Sequence, residues 1–158
     1  MTAKRWAVLI GFIVLSQLAG IIGSVFTVPA IDAWYAELVR PSLAPPNWLF
    51  GPVWTILYVL MGIAAFVVWR VGTDRALVRR ALVVFGVQLI LNTLWSIIFF
   101  GWQSPGWALV EIIFLWLAIV MSISLFARVS GRAAWLLAPY LAWVTFAGYL
   151  NYSIYVLN

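Results

Sequence analysis

The sequence RPSLAPPNWLFGPVWTILY, residues 40–58, joins a proline-rich segment to a long apolar run. It contains four prolines, two tryptophans and only one charged residue. Proline fixes φ and lacks a backbone N–H, so Pro41, Pro45 and Pro46 exclude a regular helix in the first part. Pro52 falls in the first turn of the apolar run, where a missing N–H costs little. The stretch therefore predicts a stiff loop that leads directly into a helix.

Apolar runs of this kind dominate the whole chain. The sequence is 66% hydrophobic and 8% charged, whereas soluble domains carry about 25% charged residues. Segments of alternating polarity, as in a membrane β-barrel, are absent. The composition predicts an all-α membrane protein, in which residues 1–158 form one five-helix transmembrane bundle with a structured first loop over residues 29–50. Five runs are close to the roughly 20 residues that a transmembrane helix needs: about 6–28, 51–69, 77–100, 107–127 and 134–157.

The breaks between these runs set the predicted orientation. Pro29 is expected to end the first run, and the charged segment 70–80 and the turn-forming segments 101–106 and 128–132 separate the later ones. Eight of the nine lysines and arginines then lie on the same side as the N-terminus, and only Arg40 lies on the other. This bias predicts a cytoplasmic N-terminus in a bacterial cell membrane, with an outer-membrane location left open. The first run is too long for a typical signal peptide and is expected to be retained.

The residue types that are absent exclude several kinds of chemistry. The chain has no cysteine and no histidine, which removes thiolate ligands, the commonest metal ligand and the usual general base near pH 7. We therefore expect no metal site and no bound cofactor. The net charge of +5 reflects membrane orientation, so it predicts no nucleic-acid partner.

Three predicted helices each carry polar and aromatic residues on one face. Polar side chains in lipid turn inward and find partners, so these faces are expected to converge. One interpretation is an aromatic-walled cavity for a large, flat, mostly apolar ligand; the alternative is interhelical hydrogen bonding alone, which is favoured for Gln88. The residues concerned are Trp54 and Tyr58, then Gln88, Asn92, Trp95, Ser96 and Phe99, then Tyr140, Trp143, Ala147, Leu150 and Asn151.

Three further features carry expectations. WYAEL, residues 34–38, predicts a short amphipathic turn, and the prolines that follow it make the loop either a lid or an anchoring connector. Pro139 is expected inside the fifth helix, where it removes one backbone hydrogen bond. The resulting bend either widens a cavity or has no functional effect. Glu111 is interpreted as an interfacial side chain that reaches towards the headgroups, in preference to a functional carboxylate.

Together these motifs resemble the TspO/MBR family, the tryptophan-rich sensory proteins whose mitochondrial members are called translocator proteins. The resemblance covers nearly the whole chain. It is carried by WYAEL (34–38), RPSLAPPNW (40–48), FGPVWTILYVLMG (50–62), QLILNTLW (88–95), IIFFG (97–101), GWALVE (106–111) and PYLAWVTFAGYLNY (139–152).

The resemblance implies a homodimer that binds tetrapyrroles such as protoporphyrin IX, and also isoquinoline carboxamide and benzodiazepine-type ligands. It also implies light-dependent protoporphyrin degradation in some bacterial members, which requires the tryptophans matching Trp54 and Trp143. Leu43 replaces an aromatic residue of many relatives, which weakens one aromatic contact in the lid region. No basic residue follows Tyr152, so cholesterol recognition is poorly supported. The family's cavity positions match Tyr35, Pro45, Trp54, Asn92, Trp143, Ala147 and Leu150, to which the polar faces add Tyr58 and Trp95.

Three functions follow as hypotheses. The first is a membrane receptor or sensor for porphyrins, bound in an aromatic cavity under the first loop. The second is an enzyme that degrades porphyrin with light and oxygen. The third is a tetrapyrrole or sterol transporter, ranked last because five helices without a repeat or a buried charge pair indicate no alternating-access machinery.

Overall fold

The computed structural model describes residues 2–158, and this part of the chain is helical without strands. Five helical spans are long and apolar enough to cross a membrane, which confirms the predicted fold class. A 3₁₀ turn, Asn47–Leu49, runs into the second span, and a π-helical turn, Ile97–Gly101, ends the third. The α-helices are α1 (Ala3–Ile31), α2 (Trp34–Glu37), α3 (Phe50–Trp69), α4 (Ala76–Ser96), α5 (Pro105–Val129), α6 (Gly131–Leu136) and α7 (Ala138–Leu157).

Long-range packing orders these helices into one bundle. Helix α1 packs against α3 and α4, and α5 packs against α4 and α7. Small residues allow the closest approach: a Cβ atom on Gly62 of α3 would lie 2.6 Å from the Ile13 Cα of α1. Such close backbone contact is typical of membrane helices. Lipid provides no hydrophobic drive for helices to associate, so they depend on tight van der Waals packing, which small residues allow.

Two prolines do not act as the sequence predicted. Pro29 lies inside α1, which continues to Ile31. In lipid an unpaired backbone N–H or C=O group is costly, so a helix tends to continue. One missing N–H near the end of the helix is tolerated. Pro139 does not kink a continuous helix. The chain breaks at Leu137, and Pro139 occupies the first turn of α7, where proline is well accommodated.

The first loop is shorter than predicted. Its start moves from residue 29 to Asp32 because α1 is longer, and its end is the 3₁₀ turn over Asn47–Leu49. The predicted turn at WYAEL is present as α2. The loop thus places one helical turn and one 3₁₀ turn over the end of the bundle.

Candidate functional site

A cavity of about 500 Å³ lies beneath the first loop, between α1, α3, α7 and the end of α4. Its volume is in the range of small-molecule sites, and such sites are mostly apolar with a few polar groups. Seven of the predicted binding residues line this cavity, so the structure brings together residues from the loop and three helices. They are Tyr35, Trp54, Tyr58, Trp95, Trp143, Ala147 and Leu150.

Two predicted binding residues do not line the cavity. Pro45 is half-buried in the loop. Asn92 is buried behind Tyr58, whose hydroxyl donates to the Asn92 Oδ1. A direct contact of either residue with a ligand stays a prediction. In the structure the Asn92 amide is hydrogen-bonded to the Tyr58 and Tyr140 hydroxyls.

A chain of hydrogen bonds runs from the cavity wall into the core. Tyr58 donates to Asn92, the Asn92 Nδ2 donates to the Tyr140 hydroxyl at 3.1 Å, and Tyr140 donates to the Gln88 Oε1 at 2.8 Å. The four side chains are buried and connect α3, α4 and α7. In a low-dielectric interior such a network holds its members rigidly. It supports the interpretation of Gln88 as an interhelical contact.

Aromatic stacking fixes the cavity walls. The Trp54 ring stacks on Tyr58, with centroids 5.4 Å apart. At the end of α4, Trp95 stacks on Phe99 at 5.0 Å, and its Nε1 donates to the Asn151 Oδ1 at 3.1 Å. Rings held in this way present broad, preformed apolar surfaces, which suit stacking against a flat ligand.

The loop is seated on this aromatic surface. The buried Tyr35 ring lies 5.7 Å from Phe100 and 6.3 Å from Phe99. Burial raises the pKa of the Tyr35 hydroxyl, while the nearby Arg40 charge partly lowers it. The hydroxyl is therefore neutral at physiological pH and keeps its proton for hydrogen bonding. Asn47 and Trp48 at the end of the loop also contribute to the lining.

Comparison of the sequence with known proteins identifies the family of this chain. The sequence matches the model of the TspO/MBR family over residues 12–157. The chain belongs to the TspO/MBR family. It is 49% identical over 144 residues to "Tryptophan-rich protein TspO" of Chlorobaculum tepidum, and the match covers 91% of both chains. It is 40% identical over 156 residues to "Translocator protein" of Homo sapiens, which covers 97% of this chain and 91% of the human protein.

One wall of this TspO/MBR cavity, formed by α1, was not predicted from the sequence. Gln17, Gly20, Ser24 and Thr27 line it. Their spacing of three or four residues places them on one helical face, and this was the signal that would have revealed them. A Cβ atom on Gly20 would overlap the Tyr58 ring, so the glycine makes room for the cavity wall.

The interpretation of Glu111 as an interfacial side chain is wrong. Only 6% of Glu111 is exposed, and neither carboxyl oxygen has a hydrogen-bond partner within residues 2–158. It lies on the α5 face that packs into the bundle, beside the buried Ala108 and Leu115. A glutamate side chain can reach the headgroups only from a lipid-facing position near a helix end. Glu111 instead lies on the inward face of α5.

The arrangement offers little conventional catalytic chemistry. Within residues 2–158, no three side chains of the types that bind metals come together. The cavity lining contains hydroxyls, amides and indoles but no acid or base that titrates near neutrality. What the TspO/MBR site offers is shape, stacking surface and hydrogen bonds, which are the properties of a binding site.

Proposed function

We propose that this TspO/MBR protein is an integral membrane receptor or sensor for porphyrins such as protoporphyrin IX. The observation that carries the proposal is the aromatic lining of the cavity under the first loop. Indole and phenol rings from α3, α4 and α7 line this cavity and would stack on the faces of a flat macrocycle. The same surfaces would accept smaller flat ligands of the isoquinoline carboxamide and benzodiazepine types.

A titration in the dark tests this proposal. Protein in phosphatidylcholine nanodiscs is titrated with protoporphyrin IX while tryptophan fluorescence is followed. Trp54→Ala should weaken binding, because a stacked ring contributes about 0.5–1.5 kcal/mol beyond its buried area. Trp135→Ala is the matched control, since that indole is 79% exposed and does not line the cavity. Quenching that never saturates would overturn the proposal.

A second function, light- and oxygen-dependent degradation of the porphyrin, is favoured by the positions of Trp54 and Trp143. Both indoles line the cavity, where an excited porphyrin would reach oxidisable rings, and the ligand would supply the reactivity as a cofactor does. The double variant Trp54→Phe, Trp143→Phe should abolish loss of the porphyrin absorbance bands but keep most of the binding. Equal loss of both properties would mean that these tryptophans only hold the ligand.

We also propose a cytoplasmic N-terminus and a homodimer. Because the chain has no cysteine, single cysteines report topology cleanly. In intact spheroplasts an impermeant maleimide should label Ser42→Cys in the first loop and leave Thr73→Cys, between α3 and α4, unlabelled. The reverse pattern would invert the orientation. Mass measurement of the protein in nanodiscs would test the dimer.

A further inference from the structure

Arg40 stands apart from the other basic residues of the chain. It is the only lysine or arginine between Arg5 and Arg70, and it lies in the loop that covers the cavity. Every other basic residue lies at the opposite end of the bundle, near the ends of the helices and their connections there. Among the residues that the structure describes, Arg40 is therefore the one basic side chain at the end of the bundle that holds the cavity.

The guanidinium of Arg40 is placed between two residues that line the cavity. Its Cζ lies 5.7 Å from the centre of the Tyr35 ring, within the range of a cation–π contact. Its Nη1 donates to the Asn47 Oδ1 at 3.3 Å. Tyr35 and Asn47 both line the cavity, whereas Arg40 does not line it and is exposed. The charge therefore lies on the outer side of two lining residues.

This guanidinium has capacity for an anion. Arginine carries five N–H donors, and the described hydrogen bond to neutral Asn47 uses only one of them. Within residues 2–158 the structure shows no carboxylate paired with Arg40, although Asp32 and Glu37 lie in the same part of the chain. Arginine is well suited to bind carboxylates, because its planar fork matches their two oxygens.

The interior of the cavity, in contrast, is poorly equipped for a carboxylate. The hydroxyls of Ser24, Thr27 and Thr55 each donate to a carbonyl of their own helix, and the Tyr58 hydroxyl donates to Asn92. The hydrogens of these four hydroxyls are already used, although the Trp143 Nε1–H, which also belongs to the lining, has no acceptor within residues 2–158. An ionised carboxylate in the interior would meet, among the described lining residues, neutral donors only and no positive charge, which is costly. An acidic edge of a ligand is thus better placed at the mouth.

We infer that Arg40 is a specificity-determining residue: it selects ligands whose flat apolar body carries an ionised carboxylate on one edge, and it holds that edge at the loop. The inference rests on the proposed function and deepens it, since it names the ligand class and its orientation. It predicts that the apolar edge of the macrocycle enters first.

Two porphyrins with the same macrocycle but different charge test this inference. Protoporphyrin IX has two propionates, and its dimethyl ester keeps the macrocycle but is uncharged. Both are titrated in the dark against protein in nanodiscs of zwitterionic phosphatidylcholine. Arg40→Gln should weaken protoporphyrin IX binding by roughly three- to tenfold and change the affinity for the ester by less than about twofold, as expected for a partly exposed ion pair. Arg40→Lys, which keeps the charge but loses the fork, should lie between.

A matched control separates a local effect from a general one. Arg70 also lies over an aromatic ring, at 5.8 Å from Phe66, but at the other end of the bundle. Arg70→Gln should leave both titrations unchanged. Added salt should weaken binding of the acid and spare the ester, because screening acts on exposed charges.

The other outcomes overturn the inference in distinguishable ways. Equal weakening of acid and ester by Arg40→Gln would mean that Arg40 only holds Tyr35 and Asn47 in place. No change for either ligand would mean that the charge has no role in binding. If the unaltered protein bound neither porphyrin, the proposed function itself would fall, whereas tight binding of the ester alone would preserve that function and reject the role of Arg40.

Discussion

The side-chain amide of Asn158 pairs with both backbone groups of Val39, although 119 positions separate the two residues. Asn158 Oδ1 accepts from the Val39 N–H at 3.0 Å, and Asn158 Nδ2 donates to the Val39 carbonyl at 3.1 Å. The same Nδ2 also bonds the Ile154 carbonyl of α7 at 2.9 Å. One amide therefore joins the first loop to the end of the last helix.

Asn158→Ala should loosen the loop. It removes two hydrogen bonds to Val39, each contributing about 0.5–1.5 kcal/mol net. Hydrogen exchange of the Val39 amide should accelerate about tenfold or more, because its opening now costs less. Bound porphyrin should also leave faster. Ser153→Ala is the control, since its hydroxyl bonds only the Tyr149 carbonyl of its own helix. An unchanged Val39 exchange rate would mean that aromatic packing alone seats the loop.

Tyr140→Phe should lower the free energy of unfolding by about 1–2 kcal/mol. The lost hydroxyl accepts from Asn92 and donates to Gln88, so two buried polar groups lose a partner. Unfolding in a denaturing detergent series would measure the change. Tyr149→Phe, at a hydroxyl-bearing residue that is 44% exposed, should have little effect.

A double-mutant comparison sharpens that test. Replacing Gln88 by Leu in the Tyr140→Phe background removes one of the two groups that were left unpaired. The combined loss should therefore be smaller than the sum of the two single losses. Strict additivity would show that the two side chains are not coupled.

Gly62→Ala should destabilise the bundle by about 1–3 kcal/mol, because inserted atoms force backbone shifts. The new methyl group would meet the Ile13 backbone of α1, 2.6 Å away. Gly86→Ala offers a matched comparison in α4, where nothing lies within 4 Å of the added carbon. That second variant should be neutral or slightly stabilising, since alanine favours helix over glycine. Equal melting temperatures for both variants would rule out a tight crossing of α1 and α3.

Glu111→Leu should not destabilise the protein and should raise its stability by about 1 kcal/mol or more. Both Glu111 oxygens are buried without partners, and replacing an unpaired buried polar group by an apolar one is neutral or favourable. Asn151→Leu should do the opposite, because that equally buried amide bonds Trp95 and the Pro105 carbonyl. Loss of stability in Glu111→Leu would show that the carboxyl has a partner in the assembled protein.

Much of the fold could be predicted because lipid imposes a simple rule. A span must be long and apolar, so the predicted ends of the five spans differ from the observed ones by at most four residues. The break at Leu137 could not be predicted in this way. Pro139 is compatible with a kinked helix or with the start of a new one, and only the packing of α6 beside α5 and α3 distinguishes them.

The site was predictable where one helix face carried the signal. Trp54 and Tyr58, or Trp143 and Ala147, lie one turn apart and face the same cavity. Contacts between residues that are far apart in the sequence produce no periodic pattern in the sequence. The pairing of Val39 with Asn158 and the burial of Glu111 both depend on how separate helices meet, and no local spacing reports that.

The hydrogen-bond chain that starts at Tyr58 has a direction. Tyr58, Asn92 and Tyr140 each donate away from the cavity, towards Gln88. A hydroxyl has one hydrogen, so the Tyr58 oxygen offers the cavity only lone pairs. The Tyr58 oxygen can accept a hydrogen bond from an N–H group of a ligand, but it repels a carbonyl oxygen. A ligand group placed against Tyr58 must therefore be apolar or a hydrogen-bond donor, and the buried chain behind that tyrosine, rather than the tyrosine alone, sets this requirement.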